Sequence, residues 1–559
     1  MFLRSLLAIA LAATSISSHA QLFAWAAPVV GYGVSKAVAV DAQGNVYACG
    51  NVNAQVDFDP GPGEALSPPG SGTNGDIYVV KYTNDGDYLW HYVAGGSSTE
   101  IAKNVVVDGN GDVLVTGYFS SYFDWDMGPD TVAPGAGTYD CFVLKLSSAG
   151  EFLWVQSIGG PGEDQDHGLA VDAANNVYVT GMTSAYVSFG DGDTTLQFGG
   201  GTWDGYYAKY SAAGAFRWAK SITGSGMQRP FSVACAGDRL YLFGSCKGTT
   251  VVNGTHTLDL PSDPMATYLC KTDTAGNVLW LKSQSATDDM SGEVVRATDT
   301  SVYVFASFRG TVDADPGAGV LELVPPSPTA PQTLFARLDT SGNALWAHQL
   351  QGNIHFDCVG DIALDPEGGV VVTCAIAQTQ DYDPGAGETI YAPVQANDLF
   401  TAHYTAEGGF LWVRLVNSPE TFDTANGAAV DHMGNVFMTG TFSDTAVFYP
   451  GPSTPLYASA SSTAFTVKYG LDLSTGVRPY QALSDLQLMP NPTRDQLTIT
   501  GAFERGDALQ VLDAAGRQVM RIAAQDHVMH VSVRDLRPGT YTLVWTGEKG
   551  RGSARFVVL

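Results

Sequence analysis

Acidic residues at fixed spacings are the strongest candidates for chemistry in this 559-residue sequence. Aspartates paired at i and i+2 occur five times: Asp57-Phe58-Asp59, Asp124-Trp125-Asp126, Asp191-Gly192-Asp193, Asp313-Ala314-Asp315 and Asp381-Tyr382-Asp383. Three of these run on into Pro-Gly. Ca²⁺ takes about six to eight oxygens, and alternate carboxylates with turn carbonyls supply several of them, so calcium is the cofactor these pairs would hold. None has the full EF-hand spacing, and Asp before Pro-Gly also builds turns by bonding its own backbone. A second series, Glu100, Asp164, Asp289, Asp357 and Asp423, stands eight residues before the end of successive predicted strands, with Gly33 and Gln228 in the two remaining places. If those strands line an axis, the five carboxylates form a ring at a channel mouth, attract cations or cationic groups and raise one another's pKa. The alternative is a capped, solvated loop.

Enzyme signatures are few. There is no H-E-x-x-H, G-x-S-x-G or Walker loop. Residues 70–75 fit G-x-G-x-x-G but lead into a strand, so they lack the helix N-terminus that phosphate binding uses. His167 near Asp164 and Asp166, and His355 near Asp357, are possible acid/base pairs or simply solvated histidines. The seven cysteines have no metal-type spacing, and read as small buried hydrophobes or as one or two incidental disulfides.

Composition excludes several classes. Charged residues are 15% of the chain and hydrophobic residues 45%, too apolar for disorder. A formal charge of −28 excludes nucleic-acid binding through a basic surface. Arg4, the apolar stretch at 6–13 and Ser18-His19-Ala20 predict a signal peptide over 1–20, cut before Gln21. No apolar run reaches the roughly 20 residues needed to span a bilayer. The expectation is an exported chain with no membrane span.

The elements that must position these residues are set by a repeat. Trp25, Trp90, Trp154, Trp218, Trp280, Trp346 and Trp412 are 62 to 66 residues apart. NVYACG (45–50), DVLVTG (112–117), NVYVTG (176–181) and their counterparts keep the same beat, as do YVVKY (78–82) and FVLKL (142–146). Such a period calls for a repeat architecture rather than separate domains. Each unit reads as four strands, in the second case 103–108, 112–118, 140–146 and 151–157, bounded by Gly/Asn/Asp turns. An isolated fourth strand at 22–30 and a third strand at 463–470 with no Trp strand after it complete one another. This predicts an all-β fold: a seven-bladed β-propeller over 21–470, its N-terminal strand closing the last blade. The tryptophans pack between blades. The long connectors between second and third strands form the candidate functional face.

With Gly-Asn-Val-Tyr-Val-Thr-Gly and a downstream Asp-x-x-hydrophobic-x-Lys-Tyr, this region resembles the SBBP-type β-propeller repeats of exported bacterial proteins. The period stops in a linker at 471–483. Residues 484–559 form a small C-terminal β-sandwich domain, and charge marks the boundary: residues 21–480 hold 18 Lys+Arg against 48 Asp+Glu, while 481–559 hold nine against eight. Pro490-Asn491-Pro492 with Leu497-Thr498-Ile499, Gly516-Arg517-Gln518-Val519 and Leu536-Arg537-Pro538-Gly539-Thr540-Tyr541 resemble the C-terminal sorting domain of type IX (Por) secretion cargo. That resemblance implies the type IX secretion machinery as partner and an address that is secreted or at the cell surface. The expected function is a non-enzymatic binding or adhesion module for an unknown surface glycan, protein or cation. The alternative is an extracellular polysaccharide lyase or hydrolase using acidic loop residues. Near-identical repeats favour binding, although the fourth unit departs from the rest at Gln228-Arg229, Cys235 and Cys246.

Overall fold

The computed structural model describes residues 21–68, 75–96, 99–120, 122–125, 132–134, 138–190, 195–196, 203–327, 329–351, 360–376, 378–385, 387–393, 398–418, 423–449, 456–458, 462–471, 487–489, 492–500, 508–512, 518–524, 528–534, 536–547 and 550–559. The expected signal peptide, the linker from 472, Asp126, Asp191, Asp193, His355 and Asp357 lie outside the described residues. The chain divides into two compact units, Met1–Asp472 and Leu473–Leu559. Among the described residues both are built from strands, and no helix is long and apolar enough to cross a membrane.

Four-stranded antiparallel arrays recur along the first unit. In the second repeat Glu100–Val107, Val113–Phe119, Asp140–Leu146 and Phe152–Gly159 pair in chain order. The first strands of successive repeats are Gly33–Val40, Glu100–Val107, Asp164–Val171, Gln228–Ala236, Met290–Ala297, Asp361–Leu364 and Thr424–Val430. Each packs beside the next, and Thr424–Val430 returns to Gly33–Val40. Asn426 Nδ2 donates to Ser35 O at 2.6 Å across that junction. The last array takes its fourth strand from the start of the chain: Gln21–Pro28 pairs with Thr463–Leu471, from Gln21↔Leu471 to Pro28↔Phe465.

Second and third strands such as Val46–Val52 and Asp76–Tyr82 are buried along their whole length. Both their faces meet a neighbouring sheet, so apolar residues run on rather than alternate. The core therefore lies between sheets. Tyr47, Cys49, Ile77 and Val79 of the first repeat pack with Val113, Val115, Phe142 and Leu144 of the second. Cys49, Cys141, Cys246, Cys270 and Cys374 are buried and Cys235 is partly exposed.

The repeated tryptophans serve this packing. Trp90 stands opposite Lys81 across the third and fourth strands. Trp90 Nε1 and Lys81 Nζ both donate to Ser148 O in the next repeat's turn, at 3.1 and 3.2 Å. Trp154 with Lys145 (to Ala212 O) and Trp346 with Arg337 (to Ala406 O) repeat the arrangement. The receiving turn needs glycine twice over. Gly150 has φ +85°, and a Cβ there would lie 2.8 Å from the Trp90 ring.

Among the described residues, four of the long connectors supply strands that extend the preceding sheet at its outer edge. Tyr122–Asp124 pairs with Tyr88–Gly96, Val187–Phe189 with Phe152–Gly159, Thr250–Val252 with Phe216–Gly224, and Thr445–Tyr449 with Phe410–Asn417. They partly cover strand edges that would otherwise invite pairing with another chain.

The second unit has two sheets. One orders Gln487–Met489, Gln496–Thr500 and Val528–Ser532, and the other Gln518–Ala523, Ala508–Leu512, Gly539–Gly547 and Gly550–Val558. Leu497, Ile499, Leu509, Val511, Leu543 and Phe556 fill the space between. The sequence motifs hold its ends. Thr493 N–H donates to Val557 O and accepts, at its own carbonyl, the N–H of Leu559, while Tyr541 Oη donates to Arg537 O at 2.7 Å.

Candidate functional site

One extra residue in six of the seven first strands builds the site. The register between first and second strands shifts between Ser35 and Ala37, Ala102 and Asn104, Asp166 and Gly168, Pro230 and Ser232, Gly292 and Val294, and Ala425 and Gly427. The bulged residues are Lys36, Lys103, His167, Phe231, Glu293 and Asn426, and Gly360 occupies the matching place before Asp361. All seven line one cavity of about 880 Å³ between the first strands. The bulge also explains the glycine closing the VTG-type motif. A Cβ on Gly50 would lie 1.9 Å from Val34 O, and one on Gly117 1.9 Å from Ile101 O. A bulge kinks its strand and re-aims a side chain, and here it turns one residue per repeat toward the axis.

The cavity is lined by charges of both signs. Lys36, Lys103 and Arg229 come from the first, second and fourth repeats, with His167 of the third between them. His167 packs edge-on against Phe231, ring centroids 4.8 Å apart, and its Nε2 is buried without a hydrogen-bond partner. Burial, then the charges of Lys103 and Arg229, hold its pKa well below the usual imidazole range. Glu163 of the third repeat also lines it, and the opposite arc carries Glu293, Arg296 and Asp361. Asp361 Oδ1 binds Arg296 Nη2 at 2.7 Å and its Oδ2 accepts the N–H of Ala428 at 3.0 Å. Burial raises the Asp361 pKa, with Arg296 opposing.

Four carboxylates of the expected acidic ring are among the described residues. Glu100, Asp164 and Asp423 begin or precede first strands as expected, but they line no part of the cavity. Each sits three residues before the bulge, on the other side of the strand, and is buried. Asp164 Oδ2 accepts the N–H of Gly160 at 2.9 Å, and burial pushes its pKa up to about 7. Asp423 Oδ1 accepts the N–H of Ser443 at 3.1 Å. Asp289 is one residue out of step. Its Oδ1 accepts the N–H of Met265, and Met290 holds the equivalent buried position.

The acidic pairs shape turns. Asp57 Oδ1 accepts the N–H groups of Asp59 and Ala65, Asp313 Oδ1 those of Asp315 and Leu321, and Asp381 Oδ1 those of Asp383 and Thr389, all at 2.8–3.1 Å. Asp59, Asp315 and Asp383 each accept the N–H of the glycine two residues on, at 2.7–2.8 Å. Asp124 lies in an outer hairpin strand. Among the described residues no group of three or more His, Cys, Asp or Glu could hold a metal ion.

Sequence reading found the axis-lining strands but missed the seven bulge residues. A signal for them exists. Each lies thirteen or fourteen residues before the glycine, alanine or cysteine that ends the second-strand motif, as Lys36 does before Gly50 and Glu293 before Ala306.

Known proteins bear on the two units separately. Residues 153–187 match the SBBP beta-propeller repeat, and residues 487–559 the secretion system C-terminal sorting domain. An uncharacterized WD repeat-containing protein of Acanthamoeba polyphaga mimivirus is 22% identical over 469 residues, covering 69% of this chain. The chain spans about a third (34%) of that relative's length. Among solved structures, PorZ, a surface component of the type IX secretion system of Porphyromonas gingivalis, is 10% identical with a TM-score of 0.16, covering 96% of this chain and 100% of its own. A protein of unknown function from Dyadobacter fermentans is 13% identical with a TM-score of 0.31, covering 79% and 98%. The chain thus carries an SBBP beta-propeller repeat and a Por-type C-terminal sorting domain, which marks it for export by the type IX system to the cell surface or medium.

Proposed function

We propose that residues 21–471 form a seven-bladed β-propeller acting as an exported, non-enzymatic binding module, and that its ligand, a glycan or a segment of a surface protein, enters the central cavity. One observation carries this reading. Where repeats pack on one another the residue type recurs, as with the tryptophans and the motif glycines. At the bulge the seven repeats present Lys, Lys, His, Phe, Glu, Gly and Asn. A regular scaffold with an irregular inner surface suits recognition of one asymmetric ligand. Polysaccharide cleavage commonly needs two carboxyl groups facing one bond, whereas the described acidic pairs accept backbone N–H groups within their own turns.

The test is a glycan and protein binding screen of the full chain beside Ala39→Trp, which fills the cavity from its wall. Ligands retained by the wild type and lost by a variant of unchanged thermal stability support the reading. Turnover of a polysaccharide, or binding indifferent to the filled cavity, overturns it.

A further inference from the structure

We infer that the cavity wall at Glu163 and Trp203 loosens as pH rises, because the two buried carboxyl groups beside those residues, Asp164 and Asp204, hold it only while they are protonated. The inference concerns the wall itself and stands apart from what the cavity binds.

Glu163 and Trp203 line the cavity, and each lies one place before an acid that heads a strand. Asp164 opens the first strand of the third repeat and Asp204 its third strand. Both stand opposite Thr183, the last residue of the strand between them. Backbone bonds tie this wall to the neighbouring repeats. Asp164 N–H donates to Tyr139 O of the second repeat at 3.0 Å, and Gln228 N–H of the fourth donates to Trp203 O at 2.9 Å.

The surroundings favour the neutral acids. Asp164 is 0% exposed and Asp204 3%, and Oδ1 of each has no hydrogen-bond partner. Ionising a group so placed is costly. The charges acting on Asp164 add to that cost, since Asp140 at the head of a second-repeat strand and Glu163 both share its sign. Thr183 opposite it and Gln228 at the head of the next repeat are neutral. Lys103 and Arg229 act on His167 at the bulge, on the other side of the strand. The N–H groups of Gly160 and Gly224 favour the ionised forms of Asp164 and Asp204. Burial outweighs them and pushes the two pKa values up to about 7 and about 6.

Packing does not call for acids in these places. Gln228 and Met290 hold the matching positions in the first strands of the fourth and fifth repeats, and Ala266 and Gln332 those in their third strands, all of them buried. Neutral side chains fill both positions there, so what the acids of the third repeat add is titration. An opened wall lets the carboxyl groups reach water and ionise at their ordinary pKa. Opening is therefore favoured progressively as pH climbs toward the folded values.

The experiment is hydrogen exchange of the full chain at about pH 5.5 and about pH 8, each rate taken relative to an unstructured amide at the same pH. Protection of the Asp164 and Gln228 amides is expected to fall at least about tenfold at the higher pH. The Gly33 amide donates to Ser462 O at the junction of the seventh and first repeats, where Gly33 and Thr463 take the places of the acids, and it should keep its protection. In Asp164→Asn/Asp204→Asn, which keeps both shapes, the fall should vanish. Should the double variant melt below the wild type at the lower pH, the single variants are read instead. Asp164→Asn must then abolish the fall at the Asp164 amide, and Asp204→Asn must diminish it at the Gln228 amide. Equal wild-type protection at both pH values, an equal fall at Gly33, or a fall that persists in the variants overturns the inference.

Discussion

Trp25 and Lys468 stand opposite one another on the first and last strands of the repeat unit, and both donate to the backbone carbonyl of Asn84, at 3.0 and 2.9 Å. This is the bond pair that joins one repeat to the next elsewhere, here assembled from the two ends of the repeat region. The sixth repeat shows the rule by its exception. His403 stands opposite Trp412 and binds Asp365 within its own repeat at 2.7 Å. The seventh array joins Thr463–Leu471 to Gln21–Pro28 without a hairpin turn, so no turn carbonyl awaits a lysine there.

The pairing of the first strand with the last should be expensive to disturb. Trp25→Ala removes a ring packed near Tyr82 and Phe437 as well as the bond to Asn84. An expected loss of about 3 kcal/mol in urea unfolding follows from large aromatic truncations. Trp25→Phe, which loses the indole N–H but keeps most of the ring, should cost about 1 kcal/mol. Equal costs for the two would show that the bond to Asn84, not the packing, holds the two ends of the repeat region together.

The bulge should tolerate no Cβ opposite it. Gly117→Ala places one 1.9 Å from Ile101 O, so a loss of at least about 2 kcal/mol is expected. Gly254→Ala meets nothing within 4 Å and bears only the strain of φ +64°, about 1 kcal/mol. Paired thermal melts decide it, and a Gly117→Ala protein as stable as Gly254→Ala would mean the bulge relaxes freely.

Asp164 should make the protein less stable as pH rises. Its folded pKa is raised from 3.8 to about 7 by burial. Between those values the folded state holds a proton that the unfolded state has released, so its contribution to stability falls as pH climbs from about 4 to 7. Asp164→Asn should therefore match the wild type in melting temperature near pH 4 and exceed it at pH 8. A difference independent of pH would mean Asp164 is ionised in the fold.

Calcium should not stabilise the acidic turns. Asp381→Ala leaves the N–H groups of Asp383 and Thr389 without their acceptor and should cost about 1–2 kcal/mol. Chelator and added Ca²⁺ should leave the wild-type melting temperature unchanged. A rise with Ca²⁺ that the variant loses would restore the metal reading for these pairs.

Much of the architecture was legible because repetition forces local chemistry to recur. Tryptophan spacing marked the fourth strands, and the motif glycines marked the second. The surplus strand at one end and the missing one at the other announced the pairing of Gln21–Pro28 with Thr463–Leu471. The sorting-domain motifs were equally plain, and Tyr541 of one of them donates its hydroxyl to the backbone carbonyl of Arg537.

Which side chains face the axis was a matter for the tertiary structure. Strand side chains alternate, so a single inserted residue reverses every assignment on one side of it. Counting back along an unbroken strand put Glu100 and Asp164 at the channel mouth, whereas the bulges bury them and turn Lys103 and His167 inward. Asp289 differs for another reason: the fifth first strand runs from Met290 to Ala297, one residue short of the count, so Met290 takes the matching place. The sequence by itself determined the repeat, its partner strands and its export address. The three-dimensional pairing of first and second strands, enforced by a carbonyl too close to admit a Cβ, decided which side chains line the cavity between the first strands.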